Sequence, residues 1–123
     1  LPIMLMAASL GVWLFYVQHQ FEDTAWARGA DWSHYDAAMA GSSFYDLPAP
    51  LRWITGNIGI HHVHHLNSRI PYYRLPKVLN DHPELKAVAR LTLWDSLKSV
   101  RLSLWCEKRE KLVSFKGAGA GER

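Results

Sequence analysis

Gly59-Ile60-His61-His62-Val63-His64-His65 is the stretch on which the reading of this sequence turns. Four of the chain's seven histidines fall within five consecutive positions. On an α-helix each residue advances about 100°, so with His61 at zero, His64 lies at about −60° and His65 at about +40°. His62 falls at about +100°, at the margin of that face or beyond it. H-x-x-H-H spacing therefore points three imidazoles in one direction, and imidazole suits iron, zinc, copper and nickel. A lone histidine is normally a structural or surface residue. A purification tag would sit at a terminus and would not contain a valine. The cluster is expected to bind a metal.

His19 is a second candidate ligand, 42 positions earlier. It ends an uncharged run, LPIMLMAASLGVWLFYV, where polarity switches on at once with Gln18-His19-Gln20-Phe21-Glu22-Asp23. Glu22 and Asp23 follow at helical spacing, as further ligands or as groups that orient an imidazole. His34, between Ser33 and Tyr35, carries no specific signal. His82 precedes Pro83 and suits a helix start. The H-E-x-x-H pattern of many zinc hydrolases is absent from the sequence.

Outward from the histidines, residues 1–17 form the end of a membrane-spanning helix. A full span needs roughly 20 apolar residues, and Trp13 and Tyr16 stand where interfacial aromatics belong. The run has neither a basic leader nor a small-residue cleavage site. Residues 24–47 mix aromatic, small and acidic types and suggest a short helix or two near the membrane surface, with Trp26 and Trp32 suited to the interface. Pro48 and Pro50 break the chain. Residues 51–65 form a helix made irregular by Gly56 and Gly59. Pro71 ends it, and a short helix follows around residues 75–79.

Residues 83–116 are expected as one basic amphipathic helix. Leu85, Val88, Leu97, Val100 and Leu104 recur at helical spacing among eight lysines and arginines. Residues 117–123 are small and polar, a disordered tail. The net charge of +3 is too diffuse for nucleic-acid binding. Cys106, the single cysteine, excludes a disulfide within these residues and argues against a thiolate metal site.

At these residues the chain resembles the membrane fatty acid desaturase family. Its third histidine box is matched by His61, His64 and His65, followed by Leu66-Asn67-Ser68-Arg69-Ile70-Pro71-Tyr72-Tyr73. Trp13 to Glu22 resembles the last membrane exit of the acyl-lipid, omega-6 (delta-12) branch, where a Gln-His pair supplies an extra ligand. The resemblance covers about residues 5–80 of the chain. It implies an all-α fold, a membrane helical bundle with a cytoplasmic helical cap made here by residues 18–82. It implies a di-iron centre held in part by His19, His61, His64 and His65. It implies O2-dependent insertion of a double bond into an acyl chain, with electrons from a ferredoxin or a cytochrome b5-like donor. Lysines and arginines near the cap would meet lipid head groups or that donor.

The family's two earlier boxes, H-x-x-x-H and H-x-x-H-H, do not occur in these residues. The expectation is therefore a carboxy-terminal part of a longer chain, inactive alone. Rival readings are a carotenoid or alkane oxygenase with similar boxes, a small membrane-attached histidine metal-binding protein, and a metal-free membrane adaptor. The exit sequence and the Ile-Pro-Tyr-Tyr stretch favour the desaturase over the oxygenases.

Overall fold

The computed structural model describes residues 1–27 and 29–119. Helix α1 (Pro2–His19) starts on a proline and carries no acidic residue in its first turn. Its 18 residues have a mean hydropathy of 1.3 and are long and apolar enough to cross a membrane. Only Val17 and Gln18 are buried. Nearly the whole length of this apolar helix is left bare by the other described residues.

The rest of the chain packs around the carboxy-terminal turns of α1. Helix α2 (His34–Ala40) is capped by Ser33, whose side chain accepts from the Asp36 amide. Strand β1 (Phe44–Tyr45), helix α3 (Ala49–Ile54), helix α4 (His61–Leu66) and helix α5 (Leu75–Asp81) follow. Single 3-10 turns stand at Tyr72–Arg74 and Pro83–Lys86. The break between α3 and α4 is a turn with Gly56 at φ +61° and Asn57 at φ 55°. The irregularity expected from Gly56 and Gly59 is therefore present. Gly59 is required for a different reason: a Cβ there would stand 2.3 Å from the Tyr45 carbonyl oxygen.

Residues 83–116 depart from expectation. In place of one helix they form strand β2 (Arg90–Leu91), helix α6 (Leu93–Ser99), strands β3 (Leu104–Cys106) and β4 (Lys111–Val113), and helix α7 (Phe115–Gly119). The apolar spacing suits a helix, but local signals override it. Thr92 and Asp95 form a reciprocal capping box, so a helix must begin there and cannot run through. Arg90 and Leu91 are drawn into parallel pairing with Phe44 and Tyr45. Glu110, at φ 48°, helps reverse the chain between β3 and β4. The fold is thus mainly helical but not all-α, with two two-stranded sheets among the described residues. Gly117–Gly119 close α7, and the rest of the tail expected to be disordered lies outside the described residues.

Strand β1 divides two apolar clusters, as alternation along a strand requires. Phe44 packs with Ile60, Val63, Leu75, Leu79 and Leu85. Tyr45 packs with Val17 and Leu47 against Trp13, Leu14, Tyr16 and Leu91. The first cluster seats the histidine helix, and the second joins β1 to α1. Each buried aliphatic side chain contributes about 1.5–3 kcal/mol.

Candidate metal centre

Helix α4 is only six residues long and has no side-chain cap at its start. A helix that short is marginal by itself; burial of Ile60 and Val63 holds it. Val63 lies about 200° around the helix from His61, so seating Val63 in the core turns His61 and His65 the other way. That direction is the end of α1. The Ser43 amide donates to the Gln18 carbonyl at 3.0 Å, which ties β1 to the last turn of α1 and brings His19 to α4.

Three ring nitrogens converge there. The Nε2 atoms of His19 and His61 are 3.0 Å apart, those of His19 and His65 3.3 Å, and those of His61 and His65 3.1 Å. Nitrogens bound side by side to one ion at about 2.1 Å stand about 3.0–3.4 Å apart, depending on the angle between them. The triangle has those dimensions. The second nitrogen of His19, Nδ1, is 3.0 Å from the Gly41 carbonyl oxygen. A carbonyl only accepts, so Nδ1 carries the proton and the Nε2 lone pair faces the triangle.

Burial favours the neutral form of His61 and His65. The pKa of His61 is lowered to about 3, first by desolvation and then by repulsion from His65, His19, His64 and His62. That of His65 is lowered by desolvation, then by His19, His64 and His34. Neutral imidazole is the metal-binding form, so protons do not compete at ordinary pH. An all-imidazole donor set of this size fits iron, as it fits zinc, copper or nickel.

Of the sequence-derived candidates, His19, His61 and His65 come together as one ligand group. His64 stands beside them, its ring 5.8 Å from that of His61 and 6.1 Å from that of His65, and does not join the triangle. Glu22 turns away: its carboxylate pairs with Lys111 at 2.9 Å. His82 is where a helix start was expected, preceding the Pro83 turn, with Nδ1 3.0 Å from Glu84. His62 points to the opposite side, fully buried, its ring 6.3 Å from that of Phe44. Desolvation lowers its pKa to about 4, opposed by the Leu85 backbone.

His34 was passed over in the sequence. It lies with His19, His65, Trp32 and Gly41 around a cavity of about 250 Å³ beside the triangle. The signal that was present is Ser33, a helix cap that fixes His34 as the first residue of α2.

The profile of the fatty acid desaturase family matches residues 1–95. A protein named fatty acid desaturase from Bacillus subtilis (strain 168) is 50% identical over 115 residues, which covers 94% of this chain and 33% of the relative. This chain therefore spans about a third of that relative's length. No solved structure matches. The family match over residues 1–95 and the 50% identity across 94% of this chain show that the chain belongs to the fatty acid desaturase family.

Proposed function

We propose that this chain is the carboxy-terminal part of an integral-membrane, O2-dependent acyl desaturase of the omega-6 (delta-12) type, with His19, His61, His64 and His65 as iron ligands. The observation that carries the reading is the 3.0–3.3 Å triangle of Nε2 atoms at the exit of an apolar helix. Two bound irons would supply O2 activation and removal of hydrogen from adjacent methylenes of the acyl chain. The chain's own residues hold and orient. His19, His61 and His65 take one ion, and His64, set apart from them, serves the second. The Gly41 carbonyl fixes the His19 tautomer, and burial holds His61 and His65 ready to bind.

The remaining ligands come from histidines outside these residues, so the chain alone is inactive. The substrate is an acyl chain carried by a membrane lipid. Electrons come from a ferredoxin or a cytochrome b5-like protein on the cytoplasmic side, where the histidines lie. The test is expression of the complete gene in a host that lacks the product. Gas chromatography–mass spectrometry of total fatty acids should show a new double bond, with about two irons per purified protein. A new carbon–oxygen bond in place of the double bond would move the protein to the related oxygenases. Loss of neither product nor iron on His61→Ala would sink the reading.

A further inference from the structure

Helix α6 is amphipathic in the wrong sense for a soluble domain. Its buried residues are polar: Ser96 and Ser99. Ser96 Oγ is 3.0 Å from the Tyr45 hydroxyl, and the Tyr16 hydroxyl donates to the Ser99 carbonyl at 3.3 Å. Its outward residues are mainly apolar, Leu93, Trp94 and Leu97 with Val100 just after, beside the exposed Lys98; Trp94 is 76% and Leu97 55% exposed. Helix α3 behaves alike, with Trp53 80% and Ile54 70% exposed.

The direction of both helices follows from the small parallel sheet. Ser43 is bonded to Gln18, whereas Leu47, four residues on, packs in the cluster that holds Trp13, Leu14 and Tyr16. Strand β1 therefore runs back along α1, from its polar end toward its apolar body. β2 is parallel to β1, so it points the same way. α3 starts two residues after Leu47, and α6 starts two residues after Leu91. Both helices are delivered to the same end of the sheet, beside the bare apolar surface of α1. Tryptophan beside cationic Arg52, Lys98 and Arg101 is the side-chain mixture that suits the headgroup layer of a bilayer.

We infer that α3 and α6 are two interfacial feet. Trp53 and Ile54 of α3, and Trp94 and Leu97 of α6, insert into the headgroup–acyl boundary around α1. The cations at their edges reach the lipid phosphates. The occupant of this surface is thus lipid rather than protein. It sets the depth at which the histidine triangle sits above the bilayer. The inference rests on the proposed membrane crossing of α1 but not on the reaction.

The experiment uses single-cysteine forms of the full-length protein, with Cys106→Ser and every cysteine outside these residues replaced, reconstituted into phosphatidylcholine–phosphatidylglycerol vesicles. A nitrobenzoxadiazole label is placed through Ile54→Cys, Leu97→Cys, Lys108→Cys as the aqueous reference, or Val12→Cys as the lipid reference. Labels at 54 and 97 should be reduced by added dithionite about tenfold more slowly than the label at 108, and should be quenched by nitroxide-bearing lipid. Dithionite access at 54 and 97 equal to that at 108 overturns the proposal while a protected label at 12 leaves the crossing of α1 standing. Protection from dithionite without quenching by lipid also overturns it, because protein then covers the face. An accessible label at 12 removes the crossing and the feet together.

Discussion

His19 Nδ1 lies 3.0 Å from the carbonyl oxygen of Gly41, and this one contact decides which nitrogen of His19 is free to bind metal. A Cβ at Gly41 would stand 2.5 Å from the Ala37 carbonyl oxygen, so the backbone there must shift. Gly41→Ala should move the acceptor away from His19 and weaken metal affinity about 10–100-fold, the usual effect of losing such an orienting partner. Titration of the metal-free full-length protein with Co(II), followed by its visible absorption, measures this. An unchanged affinity would mean the contact does not orient the ring.

Ligand and packing histidines should separate cleanly. His19→Ala, His61→Ala and His65→Ala each remove a corner of the triangle and should lower bound iron in the full-length protein. His62→Phe should leave iron content near that of the wild type, because His62 faces Phe44 and Leu85 instead. Iron analysis of the purified variants checks both halves. Iron loss on His62→Phe with the fold intact by circular dichroism would contradict the assignment.

Stability of the metal-free protein should fall in mild acid. His62 has a folded pKa of about 4 against about 6.5 in the unfolded chain. Between those values the unfolded state binds more protons, so stability decreases as pH drops from about 6.5 toward about 4. At pH 5 this residue alone costs about 2 kcal/mol. His61, with a folded pKa of about 3, extends the loss to lower pH. Thermal unfolding in detergent from pH 7 to pH 5 should show the decline, and His62→Phe should flatten part of it. A pH-independent midpoint would show that His62 is solvated.

Gly59→Ala places a methyl group 2.3 Å from the Tyr45 carbonyl oxygen, across the bond by which the Tyr45 amide reaches the Gly59 carbonyl at 2.8 Å. Both neighbours are backbone and cannot swing aside. The variant should lose about 1–3 kcal/mol, the usual cost of overpacking. It should also part α4 from β1, with lower metal affinity as the second readout. Chemical denaturation and Co(II) titration test the two effects separately.

Thr92→Ala removes the hydroxyl that accepts from the Asp95 amide at 3.3 Å and donates to the Asp95 carboxylate at 2.7 Å. Loss of this cap should cost about 1 kcal/mol. Iron content should be unchanged, because α6 does not touch the triangle. A destabilised variant that also loses iron would tie α6 to the metal centre.

The sequence alone determined the facing of the histidine helix and the apolar character of α1. Spacing of four residues puts His61 and His65 on one face wherever the helix sits, and an uncharged run stays apolar in any fold. It also placed His19 at the end of that run. Tertiary structure decided the rest. Spacing grouped His64 with His61 and His65, yet the third nitrogen of the triangle comes from His19. Seating Val63 and Ile60 in the core sets the rotation of α4, and β1 brings the distant helix end to it. Apolar periodicity in residues 83–116 promised one helix, but strand pairing with Phe44 and Tyr45 and the Thr92–Asp95 cap are separate claims on that segment. Periodicity records only which residues prefer to leave water. Partners far along the chain decide what they leave it for.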